Sequence, residues 1–303
     1  MIPISAFPAD ASPAVVCLGL SALDRVWRVG TPFSGGSEKI RASDHLTEPG
    51  GMAANAAVAI ARLGGRASFW GRAGDDEAGR IMSDGFVAEG VDIRNFRLFE
   101  GGASSVSGII VDAGGERQIV NFRGRYPADA SWLPLTALSA DCVLADPRWP
   151  EGAEALFAEA RRRGIPTVLD GDVADIEMFE RLLPLTDHAI FSEPGLRGFA
   201  GDIDGKALDS AAGFGCRVVA VTRGPAGLTW RDSGGLHDLG APRVEAIDTT
   251  AAGDVFHGAY AFGLGAHLRV ADAFLFASSV AAFKCTRPGG RAAIPSLDDL
   301  KSF

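Results

Sequence analysis

The sequence predicts an α/β fold: a mostly parallel central sheet with helices on both faces and a small β-sheet lid at one edge. Three observations predict it. Six short apolar runs, AVVCLGL, ASFWGRA, DCVLADP, PTVLDGD, HAIFSEP and RVVAVTR, have the length and composition of buried strands. Ala- and Leu-rich segments of helical spacing lie between them, among them AANAAVAIARLGG, EAGRIMSDGFVAEG, AEALFAEARRRG, IEMFERLLP and LDSAAGFG. Two further stretches, residues 25–46 and 105–123, alternate polar and apolar residues and are too polar for a sheet buried on both faces.

Each element follows from these patterns. Strands alternating with helices imply parallel pairing with both faces covered. Four of these helical segments end in glycine, which closes helix C-termini. Residues 105–123 carry a turn at Ala113-Gly114-Gly115 and read as a β-hairpin. With residues 25–46 they make a lid inserted into one domain of 1–303. Ligands of such sheets bind beyond the carboxyl ends of the strands.

Bulk properties narrow the function. The chain has 303 residues, 29 basic and 38 acidic, for a net charge of −9. That balance argues against nucleic acid or an anionic membrane as partner. Cys17, Cys142, Cys216 and Cys285 stand far apart and read as reduced thiols. The five histidines form no zinc-type cluster. The start, MIPISAFPADASPA, lacks the basic and apolar regions of a signal peptide. No apolar run reaches the ~18 residues of a membrane span. A cytoplasmic protein is expected.

Four motifs carry chemistry. In Ile247-Asp248-Thr249-Thr250-Ala251-Ala252-Gly253-Asp254, small residues precede a helix. Their N–H groups, free at the helix start, suit an anion. Asp254 there could accept the proton of an attacking hydroxyl. Helix capping by Thr249, Thr250 and Asp254 explains the residues as well. In Glu48-Pro49-Gly50-Gly51-Met52-Ala53-Ala54-Asn55, the glycines admit a ligand close to the backbone. Asn55, a poor helix former inside an Ala-rich helix, suits sugar hydroxyls. Asp24 follows the first strand and could accept from two hydroxyls, or serve a loop. Thr222-Arg223-Gly224-Pro225-Ala226-Gly227 leaves a late strand through a turn that could cradle phosphates.

Taken in this order, the motifs resemble the PfkB family of carbohydrate kinases over nearly the whole chain. DTTAAGD resembles the family's DTxGAGD, GGMAAN its GGxxxN, GRAGDDEAG its GxxGxDxxG and VTRGPAG its VTxGxxG. The resemblance implies a ribokinase-like fold, Mg²⁺-ATP as phosphoryl donor and a sugar hydroxyl as acceptor. It makes Asp254 the base, with the amides of Ala251, Ala252 and Gly253 as anion hole. It places Asp24, Gly50, Gly51 and Asn55 at the sugar, and Ser192, Glu193, Thr222, Arg223, Gly224 and Gly227 at the nucleotide. It further implies a monovalent cation such as K⁺ near Asp248 and the 285–291 loop. Two departures stand out. Ala251 replaces a glycine, which is harmless if its φ stays negative. In Phe191-Ser192-Glu193-Pro194-Gly195, Ser192 and Gly195 replace the Asn and Glu of an NxxE magnesium segment, leaving Glu193 to substitute.

The runs VLADPRW, TVLDGDV, DHAIFSEPGL, DTTAAGDVFHGA and FKCTRPGGRAAIP are similar to sulfofructose kinases, a subgroup acting on 6-deoxy-6-sulfofructose. That resemblance puts Lys39, Asn121 and Arg148 around the sulfonate. A lysine, an amide and a guanidinium can bind its three oxygens. A phosphosugar or a neutral ketose also fits such a site, and a non-catalytic sugar sensor is the rival of another class. Homodimerisation through the exposed lid strands is expected.

Overall fold

A computed structural model describes residues 11–31, 39–114 and 116–301. The first ten residues, residues 32–38 of the first lid segment and Gly115 of the expected hairpin turn lie outside the described residues. The chain runs β1 (Ala14–Gly19), β2 (Ala22–Val29), β3 (Ala42–Gly50), α1 (Met52–Arg62), β4 (Arg66–Gly74), α2 (Glu77–Ala88) and β5 (Phe96–Phe99). It continues through β6 (Val106–Val111), β7 (Arg117–Phe122), β8 (Cys142–Ala145), α3 (Pro150–Arg163), β9 (Thr167–Gly171), α4 (Ile176–Leu182) and β10 (His188–Ser192). It ends with α5 (Glu193–Ala200), α6 (Gly205–Ala212), β11 (Val218–Thr222), β12 (Leu228–Asp232), β13 (Gly235–Leu239), α7 (Ala252–Gly265), α8 (Val270–Cys285) and α9 (Leu297–Leu300).

The large sheet has the order β13-β12-β11-β10-β9-β8-β1-β4-β5. It is parallel from β11 to β5. The β12–β13 hairpin adds an antiparallel edge. All six apolar runs read from the sequence are strands of this sheet. Along β1, Val15 and Cys17 pack into one core, with α1, α2, α7 and α8. Val16 and Leu18 pack into the other, with α3 to α6. This is the period of two expected of a strand covered on both faces.

The chain moves outward from β1 through β4 to β5, then returns to β8 on the other side of β1. The order therefore reverses between β1 and β8, the kind of place at which ligands of such sheets bind. The small sheet rises from that place, because β2 starts three residues after β1 ends. Its order is β3-β2-β6-β7, two antiparallel pairs joined through a parallel β2–β6 pairing. In the hairpin turn, Asp112 Oδ1 accepts the N–H groups of Gly114 at 2.8 Å and Glu116 at 3.1 Å.

One packing detail positions the site. A side chain on Gly258 of α7 would meet the Ala56 carbonyl of α1 at 2.6 Å. The alanines of α1 and this glycine let the two helices approach closely, so polar groups near their N-termini can meet.

Candidate active site

Asp254 stands in the first turn of α7, and Asn55 stands in the first turn of α1. Asn55 donates from Nδ2 to Asp254 Oδ2 at 2.7 Å. Its Oδ1 accepts from Arg291 Nε at 3.1 Å, and Arg291 Nη2 donates to Gly50 O at 3.3 Å. Both Asn55 and Arg291 are only 6% exposed. The Asn55 amide, expected to meet sugar hydroxyls, thus also bridges Asp254 and the Arg291 guanidinium. Arg291 was not read from the sequence, which shows it only as one more charge in a Gly-rich loop.

The Asp254 carboxyl is pushed up to about 7 by burial and then by the neighbouring charge of Asp170, against the lowering effect of the Asn55 hydrogen bond. Its residue keeps some surface open to solvent. Asp170, at the end of β9, is buried and its carboxyl is raised well above the usual range by that burial. His257, one turn beyond Asp254, lies with Nδ1 2.8 Å from Gly253 O and 3.4 Å from Asp170 Oδ2. Its Nε2 is 3.1 Å from Ile190 O, and burial lowers its pKa. A buried layer of titratable side chains, held toward their neutral forms by burial, thus underlies Asp254.

The anion-hole segment differs from expectation in two ways. Ala251 takes the left-handed conformation, φ 61, not the negative φ that would make its methyl harmless. A non-glycine residue there costs roughly 1–2 kcal/mol. The N–H of Ala252 is used within the turn, donating to Thr249 O at 3.2 Å. Gly253 is exposed at the open helix start, where its N–H and that of Asp254 belong to the first, unpaired turn. The dipole there favours an anion.

Asp24 lies on β2 with its carboxylate against Gly50, so closely that a side chain on Gly50 would collide with it. Burial raises its pKa, while a Ser107 hydrogen bond and the Arg291 charge lower it. Gly51 caps α1 at φ 102, and a side chain there would run into the Leu20 carbonyl. Asp146, directly after β8, is fully buried. It accepts from Leu20 N at 2.7 Å, Ala53 N at 3.1 Å and Arg148 N at 2.9 Å. This carboxylate ties the ends of β1 and β8 to the start of α1. The only trace of it in the sequence is a polar residue ending an apolar run.

Of the expected sulfonate ligands, Asn121 Nδ2 donates to Ser107 Oγ at 3.2 Å, and Ser107 in turn bonds Asp24. Arg148 donates to Val173 O at 2.7 Å and to Asp172 Oδ2 at 3.1 Å. Lys39 is exposed just before β3.

The residues expected at the nucleotide stand farther along the same sheet edge. Ser192 and Thr222 are register partners at the ends of β10 and β11. Ser192 Oγ accepts from Gly195 N at 3.1 Å, capping α5, and donates to Asp172 Oδ1 at 3.2 Å. Arg223 N–H donates to Gly227 O at 2.7 Å, closing the turn into β12. Gly224 and Gly227 have φ of 52 and 87, which the turn requires.

Glu193 opens α5, half exposed, 3.4 Å from Arg197. Among the described residues, no three His, Cys, Asp or Glu side chains are grouped to hold a metal. An accessible carboxylate such as Glu193, directly after β10, fits Mg²⁺, which keeps several waters and leans on substrate phosphates. A monovalent cation at Asp248 does not fit. Oδ1 of Asp248 accepts from Thr250 N at 2.8 Å and Oδ2 from Gly289 N at 3.0 Å. Burial works against ionisation, but these bonds and the Lys284 charge hold the carboxyl at about 2. Lys284 Nζ donates to Asp248 O at 2.9 Å and lies 4.0 Å from Oδ1. A second cation beside it would meet like-charge repulsion of about 4 kcal/mol at 4 Å.

Proton acceptance beside an anion-binding helix start is the chemistry of a phosphoryl-transfer enzyme. Residues 13–297 match the model of the pfkB family carbohydrate kinases, and the chain belongs to that family. It is 32% identical to a fructokinase of Klebsiella pneumoniae over 282 residues, 84% of this chain and 91% of the other. It is 28% identical to a ribokinase of Haemophilus influenzae, over 89% of this chain and 92% of the other. The fold matches that of Arabidopsis thaliana ribokinase complexed with ribose and ATP, with TM-score 0.85 at 22% identity over 96% and 98% of the two chains. The chain is an ATP-dependent carbohydrate kinase of ribokinase-like fold.

Proposed function

We propose that the chain phosphorylates a ketohexose hydroxyl, with 6-deoxy-6-sulfofructose, converted to its 1-phosphate, as the leading acceptor. The observation that carries the transfer reading is the Asp254 carboxyl, held by Asn55 at the start of α7 and titrating at about 7. Asp254 takes the proton as the acceptor oxygen attacks the γ-phosphorus of ATP, and the bond from that phosphorus to the leaving ADP breaks. The N-terminal amides of α7, those of Ala251 and Gly253 among them, face the charge that develops. Mg²⁺, held through Glu193 and the nucleotide, supplies charge neutralisation when bound. Ser192, Thr222, Arg223, Gly224 and Gly227 hold the nucleotide.

Asp24 and the Gly50–Gly51 backbone receive the sugar. The small sheet acts as a lid that carries its own sugar-facing groups, Asp24 of β2 joined through Ser107 of β6 to Asn121 of β7. Arg148 uses two N–H groups within the protein and has others left for a sulfonate. Lys39 brings a second charge from the lid. Closure over the anion excludes water from the reaction.

An unsubstituted ketose is the second reading, favoured because Asp172 already compensates Arg148. ADP release measured with sulfofructose, fructose, fructose phosphates, ribose and ketodeoxygluconate tests the choice. Sulfofructose should give the highest kcat/KM, falling at least tenfold in Arg148→Ala and Lys39→Ala. Equal rates with fructose, or unaffected variants, would remove the sulfonate pocket.

Two copies associate through the lid. Ile119, Val120 and Phe122 of β7 are 59%, 78% and 51% exposed, on a strand whose outer edge is unpaired. Among the described residues no helix is long and apolar enough to cross a membrane.

A further inference from the structure

The segment ahead of α7 is fastened to the end of α8. Cys285 O accepts the N–H groups of Ile247 at 2.7 Å and Asp248 at 3.2 Å. Lys284 Nζ donates to Asp248 O at 2.9 Å and stands 4.0 Å from Asp248 Oδ1. Lys284 is 0% exposed. It occupies the last turn of α8, where the helix dipole favours a cation. A buried ammonium is costly unless its charge is compensated, and Asp248 provides that compensation. An apolar side chain would fill the same volume without this cost, so the charge itself is the property in use.

The geometry points to Lys284 as a built-in monovalent cation that stands in place of a potassium ion and frees the kinase from needing one. The inference rests on the kinase reading above. The path from ammonium to reaction is short. Lys284 holds the Asp248 carbonyl and faces its carboxylate, and that carboxylate accepts the Thr250 N–H at 2.8 Å. Thr250 leads into Ala251 at φ 61 and so into the helix start that carries Asp254. Gly289 N–H, at 3.0 Å from Oδ2, closes the other side. Lys284 is thus a positioning residue: it sets the anion-binding amides and touches neither sugar nor nucleotide. A free ion in this role would give activity that tracks the salt; a tethered one cannot dissociate.

The test compares potassium chloride with tetramethylammonium chloride at equal ionic strength, for the whole protein and for Lys284→Met. Sugar-dependent ADP release and thermal melting are both read. The native protein should turn over within about twofold in the two salts, and melt alike in both. Lys284→Met should lose about tenfold in kcat without potassium and regain part of it with potassium, accompanied by a potassium-selective rise in melting temperature. Potassium-selective activation or stabilisation of the native protein would overturn the inference, as would a Lys284→Met variant equal to the native protein without potassium. If Lys284→Met does not fold, the native protein's response to potassium decides alone. Melting needs no acceptor, so an absence of kinase activity, which would count against the proposed function, stays distinct from a failure here.

Discussion

Asn55 Nδ2 donates to Asp254 Oδ2 at 2.7 Å, and Arg291 holds the other end of the same amide at 3.1 Å. The orientation of Asn55 is therefore fixed, with its donor toward the base. A hydrogen bond to a carboxylate favours the charged form. The relay gives Asp254 a lower pKa than burial alone would, and burial still leaves it at about 7.

The first prediction follows for the pH profile. The base must be deprotonated, so kcat/KM should fall as pH drops through about 7. Asn55→Leu removes the donor, the proton is held more tightly, and the acid limb should move up by about one pH unit. Arg291→Met should shift it in the same direction. Steady-state rates across pH measure both, and an unmoved limb in Asn55→Leu would show that the bond does not tune the base.

The buried carboxyl also sets a stability trend. Its folded pKa of about 7 lies above the ordinary 3.8. The folded state therefore holds a proton that the unfolded state releases between these values, and stability falls as pH rises through that window. A fully buried group would cost about 4 kcal/mol above pH 7, and the partly open Asp254 about 2 kcal/mol. Asp254→Asn should then melt higher than the native protein at pH 8 and show little difference at pH 4. Melting curves at the two pH values decide it.

Ala251 offers a test of strain. At φ 61 its methyl costs roughly 1–2 kcal/mol, part of which glycine returns as chain entropy. Ala251→Gly should stabilise the protein by about 0.5–1 kcal/mol, with kcat retained. Denaturant unfolding reads the gain. A loss of stability would mean that the turn is not strained by the side chain.

Gly51 should tolerate nothing larger. At φ 102, facing the Leu20 carbonyl, it can accept a methyl group only if the start of α1 moves. Gly51→Ala should raise KM for the sugar and lower kcat together, because Asn55 is carried on the same helix start. Kinetics with a folded-state check by circular dichroism separate this from unfolding.

Most of the framework was legible in the sequence because it is local. Apolar runs gave every strand from β1 through β11 in the parallel sheet except the short edge strand β5. The glycine-rich starts of α1 and α7 marked the site. What escaped was polar closure between distant residues. Arg291 meets Asn55 across 236 positions, and Asp146 joins Leu20 across 126. No periodic pattern reports such a contact. Ser192-Glu193-Pro194, read as a magnesium segment, also starts α5, with Ser192 as cap and Pro194 in the first turn. The β12–β13 hairpin went unread because its strands are short and half polar. The φ of Ala251 could not be read either, since a left-handed residue is set by the helix that follows.

The most direct test is sugar-dependent ADP release by the native protein and by Asp254→Asn, with saturating Mg-ATP and the best acceptor of the panel. The native protein should release ADP only when sugar is present. Asp254→Asn should bind ATP normally and lose about 10²–10⁴ in kcat. Near-native turnover in Asp254→Asn would contradict Asp254 as the base.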